Sequence, residues 1–206
     1  MEVKTLCLGE LGTNCHLLGC GGNAVLAVDI GNGAQTVLSW LSDEHAELAA
    51  ILLTHGHYDH VAGVEAVRRA TGAPVYIHTA DAPMLGSGRA NLAWQITDAP
   101  YTPVASFETV EDGQELHIGE RTVRVMHTPG HTPGGCCYLT EDILFSGDTL
   151  FRGSIGRTDL GGNAQDMQAS LQRIAAIEGE WRVYPGHFGS STLSWEKQHN
   201  PYLRQS

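Results

Sequence analysis

Along the first third of the chain, apolar residues come in short runs broken by glycine-rich turns. VKTLCL (3–8), CHLLG (15–19) and AVLAVDIG (24–31) read as successive strands, with GELGTN and CGGN turning between them. A short helix is expected at 35–41 and a buried strand over AELAAILLT (46–54). From Val61 the spacing in VAGVEAVRRATG is helical, and Gly72 is its stop signal. PVYIH (74–78) is strand-like again and a small helix follows near 80–85, whereas 86–114 lacks periodicity and reads as a long surface loop.

The second half repeats the theme. Strands are expected at 115–118 and 121–127, turning at Gly119-Glu120, and at 136–139 and 143–146 across TED. A helix over 163–174, a strand at WRVYP (181–185) and a helix over 193–200 complete the pattern. Two runs of strands, each interrupted and followed by helices, predict two packed mixed sheets with helices outside.

Composition narrows the classes. At 206 residues the chain reads as one domain, 1–206, and an apolar fraction of 42% excludes a disordered chain. No apolar run approaches the ~20 residues of a membrane span, and no leader pattern opens the sequence. Five cysteines, two adjacent and none in a CxxC pair, fit small buried side chains in a reducing cytoplasm. The net charge of −11, with only two lysines, argues against nucleic-acid partners.

The chemistry concentrates where the strand ending near Thr54 should become a helix. THGHYDH places His55, His57, Asp59 and His60 within six positions. His55 and His57 alternate as in an extended segment and share a side, while Asp59 and His60 fall in the turn before the helix at Val61. Imidazoles with carboxylates suit zinc, iron or manganese better than calcium or magnesium. Further candidates follow later strands: His131 in HTPGHTPGG, Asp148 in FSGDTLF and His187 in VYPGHFG. Seven such groups suffice for two metals sharing one carboxylate.

T-H-x-H-x-D-H, followed by single His, Asp and His motifs at these intervals, resembles the metallo-β-lactamase superfamily. The likeness runs from LGTNCHLLG and VDIG to YPGH and NPYL, and FSGDTLFRGSIGRTDLGG is similar to small glyoxalase II-like hydrolases. It implies an α/β fold, an αββα sandwich of two mixed sheets flanked by helices, with the metals at one edge. It implies two divalent ions per chain, zinc first, with iron or manganese as alternatives. His55, His57 and His131 would hold the first ion, Asp59, His60 and His187 the second, and Asp148 would bridge them. Asp29 would support the metal loop without being a ligand. A metal-bridging hydroxide would be the nucleophile, with Asp59 and Asp148 as catalytic groups. The implied substrate is a small thioester such as a hydroxyacyl-glutathione, handled by a cytoplasmic enzyme without nucleic-acid or membrane partners.

Arg157, nine residues after Asp148, matches a position where glyoxalase II enzymes carry a basic group contacting glutathione, and reads alternatively as a partner of Asp159. Arg152 is a weaker candidate for the same task. Other parts of that grip are replaced: Gly189 and Asp159 stand where the family has tyrosines, and its C-terminal helical domain has no counterpart here. Persulfide dioxygenases resemble the chain too, including G-R-T-D at 156–159, and imply one iron on His55, His131 and Asp148. β-Lactamases carry Cys or Ser where Asp148 stands. The other histidines, His127 among them, are expected to play no direct chemical part.

Overall fold

The structure, a computed structural model, describes residues 3–204. Six strands form the first sheet in the order β1 (Lys4–Leu8), β2 (Thr13–Gly19), β3 (Ala24–Val28), β4 (Glu47–Leu52), β5 (Val75–His78) and β6 (Glu108–Val110). β1 to β3 pair antiparallel, and β3 to β6 pair parallel. The second sheet contains β7 (Glu115–Ile118), β8 (Arg121–His127), β9 (Cys136–Thr140) and β10 (Ile143–Gly147) as an antiparallel meander. A small hairpin, β11 (Leu150–Phe151) with β12 (Ser154–Ile155), stands apart. β13 (Arg182–Pro185) joins the second sheet parallel to β10, and β14 (Ser191–Thr192) closes that edge.

Alternation along the strands builds the layers. In β3, Leu26 and Val28 face the second sheet, whereas Val25 and Ala27 face α1 (Ala34–Asp43). In β9, Cys136 and Tyr138 point between the sheets, whereas Cys137 and Leu139 meet α5 (Ala164–Ala175) and α6 (Leu193–His199). Strands buried on both faces read as continuous apolar runs, which is why AVLAV and ELAAIL carry so little polar character. Each large side chain removed from water this way contributes about 1.5–3 kcal/mol. The architecture is helix, sheet, sheet, helix, as the sequence led us to expect.

Two expectations need correcting. The helix foreseen from Val61 is two helices, α2 (Tyr58–Val61) and α3 (Val64–Thr71), because the Gly63 N–H turns to the Ile30 carbonyl at 3.0 Å instead of continuing the helical ladder. The stretch 86–114 is not wholly loop: it contains the single turn α4 (Ala93–Ile96) and the edge strand β6. Both are too short to repeat a hydrophobic period, so no pattern announced them.

Parallel pairing places the C-terminal ends of β3 and β4 together in the first sheet and those of β10 and β13 together in the second, and the 3.4 Å approach of Asp148 to His60 puts both pairs at one edge. β8 runs the same way as β10, two antiparallel steps removed, and β2 begins where β3 ends. The loops after β4, β8, β10 and β13 therefore converge. No helix among the described residues is long and apolar enough to cross a membrane.

Candidate metal centre

β4 ends at Leu52, and Thr54 is caught at once by Asp29, whose carboxylate accepts from the Thr54 N–H at 2.8 Å and from its hydroxyl at 2.7 Å. Asp29 itself lies at φ +57°, a left-handed conformation that this buried network holds. It also faces His60 Nδ1 at 2.9 Å, which turns Nε2 of that ring inward. Asp29 thus supports the loop from behind, as the resemblance implied. Asp59 and His60 lie within α2 rather than in a turn ahead of a helix, and that single turn aims both side chains at the same point.

The seven expected groups come together. One cluster is His55, His57 and His131, another is Asp59, His60 and His187, and a third joins His55, His60 and Asp148. His57 Nδ1 and His131 Nε2 are 2.8 Å apart, and His187 Nε2 lies 3.2 Å from Asp59 Oδ2 and 3.3 Å from His60 Nε2. Asp148 stands between the triads: Oδ1 is 3.4 Å from His60 Nε2, and Oδ2 is 3.5 Å from His131 Nε2 and 3.6 Å from His187 Nε2. Gly186 makes this approach possible, since a Cβ there would collide with Asp148 Oδ1 and lie 2.7 Å from the His60 ring.

These residues fit a pair of metal ions. Donor atoms each about 2.1 Å from a tetrahedral ion lie about 3.4 Å from one another, the spacing found around Asp148. His55 Nε2 and Asp148 Oδ1 are buried without a hydrogen-bond partner, a costly state that a cation would relieve. The outer nitrogens are already committed: His131 Nδ1 donates to the Arg157 carbonyl at 2.7 Å, and His55 Nδ1 meets the Thr54 hydroxyl at 3.1 Å.

Electrostatics divides the centre into two halves. Burial, then the neighbouring imidazoles, pushes His55 well below its usual pKa and His57 down to about 3, so both rings present neutral lone pairs. Burial also opposes charge on His60, but Asp59, Asp148 and Asp29 outweigh it and raise that ring to about 10. Burial works against ionised Asp59 as well, yet His60 and hydrogen bonds from His187 and Thr13 hold it well below the usual carboxylate range. The carboxylate-rich half draws positive charge, and a cation there would displace the His60 proton.

Several supporting residues escaped sequence reasoning. Asp81, fully buried after β5, accepts from the Gly56 N–H (3.0 Å), the Thr132 hydroxyl (2.7 Å) and the Gly134 N–H (2.6 Å), tying the two loops that carry the first triad. Thr13 donates to Asp59 Oδ2 at 2.9 Å, and Asn14 and His16 hold the segment around His187. Arg157 lines the pocket above the centre, but its guanidinium forms two 2.6 Å bonds with Asp159. Arg152 lies over the Trp195 ring instead. His127 stacks on His78 at 3.9 Å, apart from the seven.

A family model of the metallo-beta-lactamase superfamily matches residues 8–187. A Bacillus velezensis protein described as a probable polyketide biosynthesis zinc-dependent hydrolase is 37% identical over 166 residues, spanning 80% of this chain and 67% of its own length. Among solved structures, the BLEG-1 B3 metallo-beta-lactamase superposes with a TM-score of 0.92 at 37% identity, over 98% of this chain and 99% of that one. TTHA1623, solved in a di-iron-bound form, superposes at 0.87 with 36% identity, over 97% and 100%. With the fold, the histidine–aspartate cluster and these relatives in agreement, the chain belongs to the metallo-β-lactamase superfamily.

Proposed function

We propose that the protein is a dinuclear metal hydrolase of small thioesters. His55, His57 and His131 would hold one ion, Asp59, His60 and His187 the other, and Asp148 would join them. A divalent pair so held lowers the pKa of water from about 15.7 towards about 7 and polarises a carbonyl oxygen. Zinc is the first expectation, and iron or manganese suits the same donors.

The pocket above the centre supports the choice of substrate. Its volume is about 280 Å³, room for a small acyl group. Leu11, Leu92, Ile96 and Leu160 give it apolar walls that limit water, and Asn91, Gln95 and Arg157 are its only polar lining beyond the ligand set. None of these can protonate a departing group near neutral pH. A thiolate, with an ordinary pKa of about 8.5, needs that help least, which favours a thioester over an ester or amide of the same acyl group. This lack of an acid among the lining residues carries the reading. Within the site, Thr13 steers Asp59, and the Arg157 carbonyl fixes the His131 ring, so the reacting face is pre-oriented.

Purified protein supplied with zinc, manganese or iron should hydrolyse short-chain thioesters, and Asp148→Ala should abolish turnover. The likeness to a B3 metallo-beta-lactamase places β-lactams in the same panel. Cleavage of a β-lactam faster than any thioester would replace this reading. One iron per chain with oxygen uptake on glutathione persulfide would replace it with the dioxygenase alternative.

A further inference from the structure

Beside the metal pocket runs a second groove of about 540 Å³, nearly twice the pocket's volume. It is bounded by the loop after β12, by α5 and by Tyr202. The two spaces share Arg157, and Gly156 lines the groove beside it. A Cβ on Gly156 would sit 3.3 Å from His131 Nδ1 and strike the Asp148 carbonyl, so the groove begins one backbone thickness from two of the proposed ligands. Arg157, on the wall of both, is where the arm of a substrate held at the metals would pass into the groove.

The lining states what it accepts. Ile155, Met167, Leu171 and Tyr202 supply apolar surface, and Thr158 and Gln168 supply neutral hydrogen-bonding groups. Arg157 is the one cationic side chain in the lining, and one edge of its guanidinium, Nε with Nη2, already faces Asp159. A carboxylate on the substrate would have to share the guanidinium with Asp159, whose charge already offsets it, in a protein whose net charge of −11 repels anions.

We propose that this groove receives the thiol arm of the thioester, and that the arm is an uncharged chain of amide groups and short methylene runs rather than an anionic peptide such as glutathione. Asp159 is then a specificity-determining residue: it neutralises the cation that an anionic arm would need. The identity of the arm rests on the hydrolase reading above; the existence of the groove site does not.

Three thioesters of one acyl group test this: S-acyl pantetheine, S-acyl glutathione and an armless S-methyl thioester, each given to the metal-loaded protein. The pantetheine ester should show the highest kcat/KM, about tenfold or more above the glutathione ester. Gln168→Trp and Ala164→Trp, both on the exposed groove side of α5, should raise KM for the pantetheine ester several-fold more than for the armless one. Asp159→Asn should move the preference towards glutathione by about tenfold. A glutathione ester cleaved as well as the pantetheine ester, or tryptophan variants that leave the KM pattern unchanged, overturns the proposal. Calorimetry with S-methylpantetheine, which has no thiol for a metal, reads the groove without turnover. Binding weakened by the tryptophans supports the site even if no thioester is cleaved and the hydrolase reading falls; no binding to the wild type removes the site.

Discussion

The side-chain amide of Asn14 donates to the Pro185 carbonyl at 2.9 Å, joining the first sheet to the second across 171 residues of sequence. The same amide reaches the Phe188 carbonyl at 2.9 Å, and the Asn14 N–H takes the Gly186 carbonyl at 2.7 Å. His187 is therefore bracketed by bonds from one residue outside the ligand set. Asn14→Ala removes the two side-chain bonds and keeps the backbone one. We expect zinc affinity at the Asp59–His60–His187 half to fall about 10–100-fold, with the His55–His57–His131 half little changed. A calorimetric titration would then resolve one tight and one weakened step. Superimposable isotherms for variant and wild type would show that β13 positions His187 unaided.

Asp81 is the corresponding tie on the other half. Its carboxylate is the buried acceptor for the Gly56 and Gly134 N–H groups and the Thr132 hydroxyl. Asp81→Ala leaves these donors without that partner in the interior, and each orphaned group costs about 1–3 kcal/mol. We expect a total loss of about 3–5 kcal/mol in urea denaturation of the metal-free protein, with weaker binding at the first triad. A loss below about 1 kcal/mol would mean that water replaces the carboxylate.

The convergence of the seven candidate residues was legible in the sequence because each follows a strand, in a glycine-bearing or tightly packed polar motif. The burial of β4 was equally legible as an apolar run. What escaped notice depends on contacts that no local pattern carries. Asn14 and His16 sit in an apolar strand and find their partners in β13 and the turn after it. Asp81 looks like any residue preceding a short helix until the loop at 128–135 folds onto it. β6 is an edge strand of three residues with only Val110 buried, and α4 is one turn entered through Leu92 in a left-handed conformation. The opposite case is Arg157 with Asp159: the sequence offered both a substrate contact and an ion pair, and the structure contains the pair.

His16 gives the fold a definable acid limit. Its Nε2–H donates to the Pro185 carbonyl at 2.9 Å, so Nδ1 accepts from the Thr5 hydroxyl at 2.9 Å, and this second bond requires the neutral ring. Burial disfavours the imidazolium and lowers its pKa from 6.5 to about 4, although the Pro185 carbonyl and Asp29 pull the other way. The unfolded chain therefore takes up this proton at higher pH than the folded one. The contribution is complete above about pH 6.5 and is lost progressively as the pH falls towards 4. A gap of that size corresponds to on the order of 3 kcal/mol. In chelator-treated protein, His16→Gln should flatten the fall in Tm between about pH 7 and 4.5. Parallel Tm profiles would exclude His16 as the titrating group.

Metal removal should act on stability as well as on turnover. Without a cation, His55 Nε2 and Asp148 Oδ1 have no hydrogen-bond partner, and His60 stays charged between three carboxylates. Binding to the folded state alone stabilises it by about 2.7 kcal/mol at a free metal concentration of 100 Kd. For a chain of this size that corresponds to roughly 5–10 °C in Tm. We expect a chelator to lower Tm by about this amount and added zinc or manganese to restore it, saturating near two equivalents per chain. Asp148→Ala removes the carboxylate between the triads, so its recovery should be smaller and should need more metal. A Tm indifferent to chelation would mean that the seven side chains pack without a resident ion, and the dinuclear reading would fall with it.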